Sequence, residues 1–398
     1  MQERGLRKTP ALSARVDRVQ GAVYSGLAAR LAQYEGERYP FHVGDTWRPA
    51  AVPLSALPAE PSIHRYTSVG GLPQLRAAFA EWISARQGHP CSAEEVLITA
   101  GATTGLSHLI QALLEPGDEL LLLAPAWPLM AGATRLMGAT PVLVPTFGEG
   151  LELEVLLERL EAARGPKTKA LYLNTPNNPT GECLPRAWLE ALGEWARRHQ
   201  LWVIADEVYD LYSYQGEHAY MHPLAPERTI SAYSLSKSFG CAGYRIGFLQ
   251  GPPDLLRAVE RLNCYSLYSP STPGQWAALQ ALGETGLAWA AESAASYAEV
   301  GAQVAARLSA TGRVQVNAPQ GSTFLFLDLR STLEALGLSL EGFLERCVDV
   351  GLLIAPGPAF GPYPAAARLC FSATPPAQTL RGVERLARII EGRSPIER

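Results

Sequence analysis

The chain has 398 residues, 47% of them hydrophobic and 18% charged, which excludes a disordered protein and one small core and suits a large domain with a smaller one beside it. Its formal net charge of −4 gives no electrostatic case for nucleic acid or a membrane surface as partner. Six cysteines, none in a CxxC pair, exclude a zinc ribbon, predict no metal site, and fit free thiols in a reducing cytoplasm.

In chain order, residues 1–20 are polar and charged, without an apolar run of signal-peptide length. Residues 1–45 hold one helical stretch and a Pro-rich follow-on, too little for a core of their own, and are expected to join the C-terminal part. From about residue 90 to 262, short apolar runs alternate with helical patterns. Candidate strands are 96–99, 119–124, 141–145, 170–174, 201–206, 230–235 and 245–250; candidate helices are 104–115, 151–163, 185–199 and 252–263. Most of these strands are apolar on both faces, the mark of a largely parallel sheet covered by helices on both sides. The last two lie too close for a helical crossover and are expected to pair antiparallel. The longest apolar stretches, such as 119–127, are strand-sized, so no membrane span is expected. After residue 273 the pattern changes. A long Ala-rich helix over 273–310 breaks near Gly283–Gly286, then come a strand at 323–329, a helix near 340–350, short strands at 352–356 and 368–373, and a closing helix at 376–392. This reads as a large α/β domain over 46–280 with a mostly parallel seven-stranded sheet. Residues 1–45 and 281–398 then form a smaller α+β domain.

Four segments at strand ends carry candidate chemistry. Lys237, in 234-SLSKSFGCAGYRIGF-248, is the only lysine after Lys169. A lysine desolvated in a Gly-rich loop beside another cation can become nucleophilic, and imine formation is the usual use; taken singly it also fits a surface lysine. In 174-NTPNNPTG-181 two prolines and a glycine force a tight turn that presents Asn177 and Asn178. In 201-LWVIADEVYDLY-212 an apolar strand ends at Asp206, with Tyr209 three residues on. A carboxylate there needs a cationic or hydrogen-bonding partner, and a protonated heterocyclic nitrogen would serve. The small-residue turn in 99-TAGATTGLSHL-109 opens a helix, where backbone N–H groups can hold an anion, although it lacks the GxxxxGK[ST] pattern. Each turn alone fits an ordinary polar turn or helix cap. Together they suit one small phosphorylated, cationic, carbonyl-bearing cofactor, pyridoxal 5′-phosphate.

In NNPTG (177–181), DEVY (206–209), SLSK (234–237) and GYRIGF (243–248), with their order and separations, the sequence resembles the fold type I pyridoxal-phosphate enzymes of the class I/II aminotransferase family over nearly its whole length. The resemblance implies a role for each position. Lys237 matches the lysine that forms the imine and then moves the proton. Asp206 matches the acid that keeps the pyridine nitrogen protonated, and Asn178 and Tyr209 the pair that hydrogen-bonds the 3′-oxygen. Ala102, Thr103, Ser234 and Arg245 match the phosphate cup, with Ser236 ranked below them. Trp127 matches the aromatic stacked on the ring, and Tyr66 the tyrosine that reaches the phosphate of a partner subunit in a homodimer with shared sites. Arg368 matches the arginine that clamps the substrate α-carboxylate, with Gly44, Asn178 and Trp127 also near substrate. The segment 43-VGDTWRPA-50 departs from the family pattern, and Trp47 and Arg48 have no counterpart in it.

The implied activity is transfer of an amino group between an L-amino acid and a 2-oxo acid. A lyase that cleaves C–S bonds, or a related eliminating or cyclising enzyme, would use the same residues and is the alternative. A fused transcriptional regulator is not expected, because no helix-turn-helix pattern precedes residue 30. For the substrate side chain, Arg48 and Arg30 are the candidate cations, while Phe41, Trp47, Trp127, Tyr209, Tyr265 and Tyr268 would suit an apolar or aromatic group.

Overall fold

The computed structural model describes residues 13–19, 25–148 and 151–394. The start of the 1–45 segment, residues 1–12 together with 20–24, lies outside the described residues.

Thirteen helices and ten strands are described. In chain order they are α1 (Ser25–Gln33), α2 (Pro73–Gln87), β1 (Val96–Thr99), α3 (Gly101–Leu113), β2 (Glu119–Ala124), α4 (Pro128–Leu136), β3 (Thr140–Pro145), α5 (Leu153–Ala163), β4 (Thr168–Asn174), α6 (Arg186–His199), β5 (Trp202–Asp206), β6 (Thr229–Ser234), α7 (Leu235–Ser238), β7 (Gly247–Gln250), α8 (Pro253–Ser266), α9 (Thr272–Ala281), α10 (Glu284–Ser309), β8 (Phe324–Asp328), α11 (Arg330–Leu336), α12 (Leu340–Val348), β9 (Ala355–Pro356), β10 (Ala366–Cys370) and α13 (Pro376–Ile390). Among the described residues no helix is long and apolar enough to cross a membrane.

Seven strands form one sheet in the order β1-β7-β6-β5-β4-β2-β3. Five of them, β6, β5, β4, β2 and β3, are parallel neighbours. β7 runs against both β6 and β1, as the short β6–β7 connection predicts. The central strands read as continuous apolar runs because both faces are covered. Leu120 and Leu122 pack under α3 and α8 with Leu106, Leu109 and Val259. Leu121 and Leu123 pack on the other face with Leu156, Leu189 and Trp195 of α5 and α6.

The second sheet is antiparallel, in the order β8-β10-β9. Its core joins Phe324, Leu325 and Leu369 to Val300 and Val304 of α10, Phe343 of α12 and Leu386 of α13. Early residues complete this core. Tyr39 and Phe41 are fully buried in it, Tyr39 N–H donates to the Gly351 carbonyl at 2.7 Å, and Cys370 N–H donates to the Phe41 carbonyl at 2.8 Å. Phe41 therefore packs under α13 and not at a substrate mouth.

Most predicted elements occur within a few residues of their expected bounds, and the Ala-rich segment is broken where Gly283 stands between α9 and α10. Two departures have physical reasons. The strand expected over 352–356 shrinks to Ala355–Pro356, because Leu352 and Leu353 pair with Tyr39 and not with β10. The strand expected from 245 begins at Gly247, because Arg245 takes a left-handed φ of 56°. α2 and α4 are helices that the strand–helix alternation did not predict.

Candidate active site

A cavity of about 350 Å3 lies at one end of the seven-stranded sheet. Six strands deliver residues to it. The turn after β1 brings Ala102 and Thr103, that after β2 Trp127, that after β4 Asn178, that after β5 Tyr209 behind Asp206, and that after β6 Ser236 and Lys237. Arg245 arrives from the start of β7, whose reversed direction puts its first residue at this same end. The second sheet and the early segment close the cavity with Phe324, Arg368 and Gly44. The wall thus holds every predicted site residue except Tyr66, together with Ser236, which ranked lower. Tyr66 is 84% exposed and makes an edge contact with Tyr268 at 5.2 Å; within one chain it does not reach the site.

Two glycines set the local geometry. Gly101 has φ +76°, and a Cβ there would lie 2.4 Å from Arg245 Nη2. A Cβ on Gly247 would lie 2.4 Å from the Ala102 backbone nitrogen. Only glycine at both places lets α3 start tight against β7 and the arginine.

Lys237 Nζ donates to the Gly44 carbonyl at 2.5 Å. Burial holds its ammonium below the usual lysine range, and the Arg368 and Arg245 cations act in the same direction, against the pull of Asp45 and Cys370. Its backbone is fixed from behind, since the Tyr212 hydroxyl donates to the Lys237 carbonyl at 2.8 Å. Asp206 is 3% exposed. Its Oδ2 accepts from the Tyr172 hydroxyl at 2.8 Å, and burial pushes its carboxyl up to about 6 despite that bond. Asn174 ties two turns together: its side-chain nitrogen donates to the Asp206 carbonyl at 2.7 Å and its oxygen accepts from Asn178 N–H at 2.6 Å.

Arg368 is buried. Its Nη1 donates to Asn178 Oδ1 at 3.0 Å and its Nη2 to the His42 carbonyl at 2.6 Å, while the guanidinium lies over the rings of Phe324 at 4.4 Å and Phe360 at 5.0 Å. Its Nε is buried without a hydrogen-bond partner. At the other end, Arg245 Nη1 lies 3.4 Å from Ser236 Oγ and donates to the Ala242 carbonyl at 3.0 Å. Ser234 Oγ accepts from Ser236 N–H at 3.0 Å, leaving its own proton to donate elsewhere.

Several contributors were not singled out from the sequence. Tyr172, two residues before Asn174 on β4, is a hydroxyl between two leucines, which was the available signal. Glu207 is fully buried behind the turn, where it accepts from Met221 N–H at 2.9 Å and the Tyr233 hydroxyl at 2.8 Å, with His218 Nε2 at 3.4 Å. Burial opposes its charge, but the His218 contact and these bonds keep its carboxyl below the usual range. This anchorage pulls Glu207 away from the cavity and leaves Asp206 and Tyr209 facing in. Phe324 gave no signal, being one more apolar residue of a strand.

The donors and charges fit pyridoxal 5′-phosphate. The start of a thirteen-residue helix, an arginine and two serines line one end. A buried carboxylate, a buried lysine and an arginine with an unpartnered Nε line the rest.

Comparison with known proteins agrees. The family model "Aminotransferase class I and II" matches residues 39–386. A probable aspartate/prephenate aminotransferase of Thermus aquaticus is 34% identical over 330 residues, covering 82% of this chain and 84% of its own. The arginine–pyruvate transaminase of Pseudomonas aeruginosa is 36% identical over 300 residues, 75% of each chain. The solved aspartate aminotransferase of Thermus thermophilus with maleate superposes with a TM-score of 0.87 at 29% identity, covering 96% of this chain and 100% of its own.

Proposed function

Because the chain belongs to the class I and II aminotransferase family, we propose that its cavity binds pyridoxal 5′-phosphate through the residues described above and that Lys237 is the group that joins it. The chain is an aminotransferase of fold type I, moving an amino group between an L-amino acid and a 2-oxo acid. The C–S lyase alternative is not favoured, since the relatives compared above are all aminotransferases. One observation carries the assignment of the site: Lys237, Asp206, Arg245 and Arg368 share one cavity wall although they come from four separate segments.

Bound there, the cofactor supplies an aldehyde for the amine and a ring that takes up the electron pair left when the Cα proton departs. The roles we assign to the protein's residues rest on the family resemblance and on their shared place on the cavity wall. Arg245, Ser234, Ser236 and the N–H groups of Ala102 and Thr103 would hold the phosphate. Asp206, its carboxylate aimed by Tyr172, would hold a proton at the ring nitrogen. Tyr209 and Asn178 would bind the ring oxygen, and Trp127 would lie against the ring. Arg368 takes the substrate α-carboxylate beside Gly44, with Asn178 already fixing its Nη1. Lys237, its amine favoured in the neutral form by burial, takes the Cα proton at Nζ.

The same reading includes a homodimer in which Tyr66 of each subunit serves the other's phosphate, a cytoplasmic location, and the division into domains 46–280 and 1–45 with 281–398. The exposed Tyr66, Tyr265 and Tyr268 support the dimer, since exposed aromatic surface is characteristic of interfaces. Borohydride reduction followed by peptide mapping tests the site: a pyridoxyl group is expected on Lys237, and its attachment to any other residue would overturn the assignment.

A further inference from the structure

We infer that the amino donor accepted by this cavity has an uncharged, apolar side chain, as in leucine or phenylalanine, and is neither a dicarboxylic nor a basic amino acid. The inference rests on the reading of the site just given.

Among the described residues of a single chain the cavity wall carries three cations, Lys237, Arg245 and Arg368, and one anion, Asp206. In the proposed site each already has an opposite number: the aldehyde, the phosphate, the α-carboxylate and the ring nitrogen. A second carboxylate, on the substrate side chain, would need its own buried cation or a set of donors. The two arginines that the sequence offered for that task are held elsewhere. Arg48 is off the cavity wall; its Nη2 lies 3.1 Å from Glu292 Oε2 and its guanidinium covers the Trp289 ring at 5.2 Å. Arg30 is paired on the surface with Asp349 at 2.7 Å and Glu345 at 3.5 Å. A cationic side chain fares no better, because the one anion on the wall is committed to the ring nitrogen.

The remaining wall is mostly carbon, from Leu106, Trp127, Pro128, Val208 and Phe324, and the polar Asn174 on it is already bonded to the Asp206 carbonyl and the Asn178 N–H. Phe324 is best placed to meet the side chain. Its ring lies 4.4 Å from the Arg368 guanidinium, so apolar surface begins where the α-carboxylate is held and where the side chain branches off. Such a wall favours a side chain that gains by leaving water.

The test uses the holoenzyme with one amino acid at a time and no oxo acid, following the loss of cofactor absorbance as the amine form accumulates. Leucine and phenylalanine are expected to convert the cofactor with specificity constants at least roughly tenfold above those of aspartate, glutamate and arginine. A preference for any of the charged donors overturns the inference and leaves the aminotransferase assignment standing. Failure of every donor overturns both. Calorimetry gives a readout independent of turnover: 3-phenylpropionate should bind the holoenzyme more tightly than succinate, and the reverse order overturns the inference. Arg48→Ala should leave the donor ranking unchanged; selective loss of aspartate conversion would make Arg48 the partner of a side-chain carboxylate and sink the proposal.

Discussion

Lys237 is kept where its charge is disfavoured. Its amine is buried against a backbone carbonyl and two guanidinium groups disfavour its charge. Lys237→Ala is expected to abolish turnover while cofactor still binds through the phosphate end, as seen by absorbance and filtration; retained turnover would remove the lysine from the mechanism. Asp206 offers a pH test. Its carboxyl ordinarily titrates at 3.8 and is pushed to about 6 by burial. The folded protein without cofactor therefore keeps this proton where the unfolded chain has lost it. Its contribution to stability is present below about pH 4 and is lost as pH rises through about 6, on the order of 3 kcal/mol. Urea unfolding of the cofactor-free protein should show this slope, and Asp206→Asn should flatten it; an unchanged slope in the variant would assign the proton to another group. In the holoenzyme the same substitution should slow turnover by roughly 100-fold or more. The polar residues that line the cavity were legible because strand-end turns carry polar residues that the apolar pattern cannot explain. Tyr172, Asn174 and Glu207 act by holding other residues, and Phe324 looks like core, so the sequence alone did not single them out.

At the scale of elements, the site depends on how closely α3 approaches β7. Gly247→Ala puts a Cβ against the backbone nitrogen of Ala102, at 2.4 Å, where no side-chain rotation can relieve it. The expected cost is about 1–3 kcal/mol of stability, together with weaker cofactor binding, because the N–H groups of Ala102 and Thr103 shift with the helix. Thermal unfolding and cofactor titration check this, and unchanged values for both would show that α3 does not set the phosphate end. The strands were legible from continuous apolar runs such as 119–124, and the reversed β7 from the short connection before it. α2 lies outside the predicted elements although Leu75, Phe79, Ala80 and Ile83 fall at helical spacing and are all buried. The shortened β9 was not legible, since its preceding residues pair with Tyr39, more than three hundred residues earlier, and no local pattern records such a partner.

At the scale of the whole molecule, a single chain leaves Tyr66 at the surface. If the partner supplies it, mixing Tyr66→Phe subunits with Lys237→Ala subunits forms hybrids with one intact site each. Turnover of the mixture should exceed the average of the two parent variants; turnover equal to that average would place Tyr66 outside the partner's site. The large sheet was legible as a class, but its strand order was not, because the neighbours of a strand are chosen by packing between distant segments. The bridge from Tyr39 to the 351–353 segment, and from Phe41 to Cys370, has a consequence during synthesis. Residues 39–44 leave the ribosome early but find their partners only when the last quarter of the chain has followed. Until then a nascent chain can hold the sheet that bears Lys237, Asp206 and Arg245 while Gly44 and Arg368 are still unplaced. On the proposed assignment the phosphate end draws on residues from Ala102 to Arg245, whereas the substrate end waits for Arg368.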